Sequence, residues 1–141
     1  MAVCRVFKKV RLGGMGAKKK ILVIEDDKDY ADLVKLVLET DAFEVDAVLD
    51  SEQAYNKVKE YRPDAVLLDL CMPKLDGWAV FKQIRADKSF KDMPIAILSG
   101  KGQQLDQMVG LHIMNADAYI AKPFGKQELI DKTHELFKRK K

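Results

Sequence analysis

Between Lys20 and Lys138 the chain alternates between short runs that are apolar throughout, or at every second position, and longer stretches whose apolar residues return every three or four positions. The first pattern is that of strands and the second that of amphipathic helices. Lys20 to Glu25 (KILVIE) is almost wholly apolar, as in a parallel strand covered on both faces. Tyr30, Leu33, Val34, Val37 and Leu38 then fall at i, i+3, i+4, i+7 and i+8 and predict a helix packed by that face. Phe43 to Val48 (FEVDAV) alternates, which predicts a strand nearer the sheet edge. A second helix follows, with Asp50 and Gln53 at capping-box spacing and Ala54, Val58 and Tyr61 inward. Pro63 closes it, because a residue before proline avoids the helical region.

Asp64 to Asp69 is the third predicted strand, and Val80, Phe81 and Ile84 mark a third helix. Pro94 introduces a fourth strand, Ile95 to Ser99, and Leu105, Met108, Val109 and His112 space a fourth helix. Ala116 to Ala121 and Gln127 to Lys138 complete the series, the last helix turning Leu129, Ile130, Thr133, Leu136 and Phe137 inward. Five strand–helix units predict an α/β fold with a doubly wound parallel sheet, since right-handed crossovers put helices on both faces. Neither a second domain nor an internal repeat is expected.

Bulk composition changes this picture little. A chain of 141 residues with 48% hydrophobic content suits one globular domain. Its longest apolar runs, such as Ile21-Leu22-Val23-Ile24, fall far short of the roughly 20 residues that span a bilayer, and no signal-peptide core is visible, so a cytoplasmic location is expected. Cys4 and Cys71 share no CxxC or CxxH spacing, which argues against a disulfide framework or a zinc site.

Charge is informative only once divided along the chain. The net +3 conceals seven basic residues and no acid in 1–20, an all-basic 138–141, and a body of 14 basic and 22 acidic residues between them. Residues 1–19 read as a flexible basic extension, 20–138 as the folded domain and 139–141 as a basic tail. Gly13-Gly14 and Gly16 break any pattern in the extension, and Met15 is a natural start, so residues 1–14 are expected to be an upstream addition. Short basic ends are ordinary solvated termini, and nucleic-acid binding is not expected of them.

In such sheets ligands bind beyond the carboxyl ends of the strands. Strand one ends in Glu25-Asp26-Asp27, strand three in Asp69, strand four in Ser99-Gly100, and strand five runs to Lys122-Pro123. Taken singly, each has an ordinary explanation: Asp26 or Asp27 as a helix cap, Asp69 as a strand-end acid, Ser99-Gly100 as a turn, Lys122 as a solvated side chain, Tyr119 as a core aromatic. Their convergence on one rim is what points to chemistry. Carboxylates a few ångströms apart repel by about 4 kcal/mol per pair near a protein surface, and a divalent cation or a lysine offsets this. Hard oxygen donors of this kind suit Mg²⁺.

Four ordered motifs, ILVIEDD, PDAVLLDLCMPKLDGW, PIAILSG and ADAYIAKPF, resemble those of the receiver domain of two-component response regulators over roughly Lys20 to Lys138. The resemblance implies a flavodoxin-like (βα)5 fold of strand order 2-1-3-4-5 and Asp69 as phosphoacceptor. It implies that Asp26 binds Mg²⁺ directly, Glu25 through water, and the Cys71 backbone carbonyl as a further ligand. Ser99 and Lys122 would bind phosphoryl oxygens, Tyr119 would be the aromatic switch, and Lys122-Pro123 would be cis. The donor would be a histidine kinase or phosphotransfer protein, and a downstream effector protein would read the fourth helix, fifth strand and fifth helix. The chain would be a phosphoacceptor switch rather than a turnover enzyme, monomeric or weakly dimeric. Because it ends just after the fifth predicted helix, its output is expected to pass through another protein.

Two positions bear on lifetime. Cys71 lies two residues after Asp69 and Lys101 two after Ser99, and neither side chain is suited to position an attacking water, so a long-lived phosphoryl state is expected. Cys71 as a reactive thiol is disfavoured by the nearby acids, which raise a thiol pKa. An aspartyl phosphohydrolase would want a second acid where Cys71 stands. A flavin-binding electron carrier would want a phosphate-cradling loop after strand one, where this chain has three acids.

Overall fold

The computed structural model describes residues 18–40, 42–70, 74, 77–99 and 116–138. Five strands, β1 (Lys19–Ile24), β2 (Phe43–Val48), β3 (Ala65–Asp69), β4 (Ile95–Ser99) and β5 (Ala118–Ala121), form one sheet in the order β2-β1-β3-β4-β5. All neighbours are parallel. Four helices are described: α1 (Lys28–Glu39), α2 (Ala54–Tyr61), α3 (Gly77–Ala86) and α4 (Lys126–Lys138). The predicted helix at Leu105 to His112 lies outside the described residues, as do Cys4, Cys71, Lys101 and most of both basic ends.

Alternation along each strand divides the apolar residues between two cores. Leu22, Ile24, Val66, Leu68, Ile95 and Ile97 meet Ala54 and Val58 of α2 and Val80, Phe81 and Ile84 of α3. Ile21, Val23, Leu67, Ala96, Leu98 and Ile120 meet Val34 and Leu38 of α1 and Leu129 and Leu136 of α4. With both faces covered, β1 and β3 read as continuous apolar runs and bury nearly every side chain. Edge strand β2 keeps Glu44 exposed between buried Phe43 and Val45.

Local chemistry sets the helix ends. Asp27 caps α1, its Oδ1 accepting the backbone N–H groups of Asp29 at 3.0 Å and Tyr30 at 3.4 Å. Ahead of α2, Asp50 accepts from the Glu52 N–H at 3.0 Å and caps a 3₁₀ turn, Ser51–Gln53; Gln53 contributes its backbone N–H to the Asp50 carbonyl at 2.9 Å. The capping pair thus starts a tighter turn from which α2 continues. Arg62 ends α2 in the left-handed region at φ 51°, its N–H donating to the Val58 carbonyl, just before Pro63.

Two expectations are corrected. Leu33, assigned to the inner face of α1, is 45% exposed, because Ala31 takes the buried place on that turn. The fifth strand starts at Ala118 rather than Ala116, since Asp117 turns its carboxylate back onto the start of β4.

Candidate functional site

The carboxyl ends of β1 and β3 lie side by side at the centre of the sheet, with Ile24 opposite Leu68, and this register brings Glu25 and Asp69 to one rim. Glu25 is 1% and Asp69 4% exposed, whereas Asp26 is open to solvent. Each of the three offers a carboxylate oxygen within 4.8 Å of the other two. Asp27, the fourth acid considered for this rim, is spent on the α1 cap, and that leaves Asp26 to the cluster.

Lys122, just past β5, reaches across to these acids. Its Nζ donates to Glu25 Oε1 at 2.6 Å and stands 3.5 Å from Asp69 Oδ1. The second Glu25 oxygen accepts the Asp27 backbone N–H at 3.3 Å. Burial pushes the Glu25 carboxyl up from 4.5 to about 7; the bond to Lys122 pulls it down and the neighbouring Asp69 carboxylate pushes it further up. Burial would lower the Lys122 ammonium, but its pairing with Glu25 and Asp69 prevails and holds it above its ordinary value. Among the described residues one ammonium faces three acidic side chains, which leaves the cluster short of positive charge. Oxygen-only donors at this spacing, one of them solvent-accessible, fit a hard divalent cation such as Mg²⁺.

β4 and β5 bring up the remaining predicted groups. Asp69 pairs in register with Leu98 and Ser99 with Ala121, so the Ser99 backbone lies one step beyond Asp69 and beside the residue preceding Lys122. The Ser99 side chain and Cys71, with its carbonyl, lie outside the described residues. Tyr119 is half-buried and packs on the α2/α3 side of the sheet. The Lys122-Pro123 peptide is cis.

Three residues that the sequence reading did not single out shape the rim. Gly77 opens α3, its N–H donating to the Leu70 carbonyl at 2.9 Å, and an added Cβ would overlap the Asp69 carbonyl oxygen. Trp78, next in line, packs edge-on against Phe81 at 5.8 Å and keeps a buried indole N–H that finds no hydrogen-bond partner among the described residues. Tyr30 was read only as part of the α1 core face, yet its ring lies 4.5 Å from Lys122 Nζ. Helical periodicity marks Tyr30 as a packing residue, and only tertiary structure shows what its ring packs against. The acid rim is distinct from a 320 Å³ groove at the opposite end of the strands, lined by Arg62, Lys88 and Lys91 among others.

Comparison with known proteins follows the same segment. The model of the response regulator receiver domain family matches residues 21–134. The alkaline phosphatase synthesis transcriptional regulatory protein PhoP of Bacillus subtilis is 36% identical over 121 residues, 86% of this chain and 49% of that protein. The DNA-binding response regulator MtrA of Mycobacterium tuberculosis is 37% identical over 122 residues, 86% of this chain and 52% of that protein. The chain thus spans about half the length of these curated relatives. Among solved structures, the receiver domain of the Francisella response regulator 1452 superposes with a TM-score of 0.77 at 31% identity, covering 88% of this chain and all of that one.

Proposed function

The chain belongs to the response regulator receiver domain family, and from that premise we propose that it is a phosphoacceptor switch with Asp69 as the acceptor. The observation that carries this reading is the burial of Asp69 at a central strand end, 3.5 Å from Lys122 and within reach of Glu25 and Asp26. A carboxylate kept there has company that stabilises added anionic charge.

The donor is a phosphohistidine on a histidine kinase or phosphotransfer protein. An Asp69 carboxylate oxygen attacks phosphorus, the nitrogen–phosphorus bond breaks, and the imidazole leaves with the electron pair. The product is an acyl phosphate, which water hydrolyses to inorganic phosphate and the free carboxylate. Lys122 supplies N–H donors to the phosphoryl oxygens, and the Ser99 hydroxyl is assigned to the same oxygens. Glu25, Asp26, Asp69 and the Cys71 carbonyl would hold Mg²⁺, which when bound neutralises charge on the equatorial oxygens. Adding about −1.5 to −2 of charge draws Ser99 inward and lets Tyr119 turn, altering the surface formed by the predicted helix at 105–112, β5 and α4, where an effector protein binds. With Cys71 two positions after Asp69 and Lys101 two after Ser99 in the sequence, neither suited to position an attacking water, the phosphoryl group is retained for longer than seconds.

Among the described residues no helix is long and apolar enough to cross a membrane. The DNA binding named for MtrA describes a protein about twice as long as the aligned segment. Neither the phosphohydrolase nor the flavin-carrier reading gains support: the sequence has Cys71 where the first wants a second acid, and the loop after β1 presents carboxylates where the second needs a phosphate cradle.

Incubation with acetyl phosphate and Mg²⁺ tests the reading by intact mass. The wild-type chain gains one phosphate and Asp69→Asn gains none. Equal labelling of both, or labelling of neither, overturns it.

A further inference from the structure

We propose that Tyr30 is a positioning residue for phosphotransfer, its ring fixing the Lys122 ammonium between Glu25 and Asp69. The proposal rests on Asp69 as phosphoacceptor and adds a residue that touches neither donor nor phosphoryl group. Lys122 Nζ lies 4.5 Å from the Tyr30 ring centroid while bonding to Glu25 and pairing with Asp69. A lysine carries three N–H donors on a flexible four-carbon stem. With acids on one side alone, that stem is free to swing toward solvent. An aromatic face attracts the cation from the other side, most strongly where water is excluded, and the Lys122 side chain is only 15% exposed.

The ring is itself anchored at both ends. Tyr30 stands in the first turn of α1, and its N–H bonds to the Asp27 cap, so its position follows the turn that carries Glu25 and Asp26. Phe124, two residues past Lys122, meets the ring edge-on at 5.7 Å and 61°. Tyr30 therefore ties the β1 side of the rim to the β5 side through a ring contact. An ammonium held this way needs only a small rotation of one N–H to reach an arriving phosphoryl oxygen, so little order has to be created at the moment of reaction.

Tyr30→Phe keeps the ring and loses the hydroxyl, whereas Tyr30→Leu and Tyr30→Met fill space without an aromatic face. Two readouts separate this role from simple packing: the initial phosphorylation rate at saturating acetyl phosphate and Mg²⁺, and the ring-current shift of the Lys122 Hε protons by NMR in the unphosphorylated protein. We expect Tyr30→Phe to retain the shift and stay within about twofold of wild type. The Leu and Met variants should lose the shift and react roughly five- to tenfold more slowly, with the half-saturating donor concentration unchanged. An aliphatic variant that folds and reacts as fast as Tyr30→Phe overturns the proposal and leaves Asp69 as acceptor. No labelling of the wild type would instead remove the Asp69 reading. The NMR arm stands apart from labelling, and absence of the shift in the wild type overturns the ring contact.

Discussion

A Cβ on Gly77 would overlap the Asp69 carbonyl oxygen and lie 2.5 Å from the Leu70 Cα, both of them backbone atoms that cannot swing aside. Gly77→Ala should therefore cost about 1–3 kcal/mol of stability by forcing α3 off the end of β3, measured by urea denaturation. It should also lower acetyl phosphate labelling, because the carbonyl that must move belongs to Asp69, the proposed acceptor. A variant as stable as wild type would show that α3 yields at no cost. Single residues divide sharply in how far the sequence discloses them. Glu25, Asp69 and Lys122 are legible because strand ends follow from the apolar runs and the fold rule sends ligands there. Which of Asp26 and Asp27 caps α1 is not, since two adjacent aspartates look alike until the backbone angles choose. Tyr30 is concealed for another reason: helical spacing gives the same signal for a ring against the core and a ring against a lysine.

Among the elements, α3, β4 and β5 are joined at the end remote from the acids. Arg85 of α3 donates to Asp117 at 3.0 Å and to the carbonyls of Met93 at 2.6 Å and Phe90 at 3.2 Å. The same Asp117 oxygen accepts the Ile95 N–H at 2.9 Å, and the Asp117 N–H returns to the Ile95 carbonyl. Both charges are largely removed from water, the side chains being 16% and 3% exposed. Asp117→Ala removes the counter-charge of a largely buried guanidinium and the acceptor of the Ile95 N–H together, and should cost about 3–5 kcal/mol. Asp117→Asn, which retains an acceptor for Ile95, should cost less, and chemical denaturation of both variants checks the order. This knot also explains why strand five begins later than its apolar pattern suggests: periodicity counts Ala116 as strand but cannot register a side chain recruited by residues more than twenty positions away. Elements with long, consistent patterns, such as β1 and α4, were readable to within a residue or so.

For the molecule as a whole, the buried Glu25 makes stability depend on pH with a definite sign. Its carboxyl is raised in the folded state from 4.5 to about 7. The protonated form thus favours folding; that contribution is complete below about pH 4.5 and is lost as pH climbs through about 7. Thermal melts in chelator should fall across this window, and Glu25→Gln should flatten the fall. Magnesium binding to the same acids must displace the proton, so its affinity should increase as pH rises through about 7 and level off above it. A melting temperature that climbs over this interval in chelator, or a magnesium affinity indifferent to pH, would contradict the geometry. The two-sided sheet and its strand order were legible from the alternation of runs and the resemblance together, because burial on both faces leaves few other ways to place so many apolar strands. The energetic state of the acids was not, since a raised carboxyl depends on how deeply neighbours enclose it.

The chain contains a single tryptophan, and Trp78 sits one residue beyond the glycine that abuts the Asp69 backbone, its indole N–H buried and without a partner among the described residues. Emission excited at the red edge of the absorption band, beyond the four tyrosines, therefore comes from one fluorophore close in sequence to the candidate rim. On the proposed reading, cation binding and phosphoryl gain should both register in that emission in real time, without dye, tag or radioisotope.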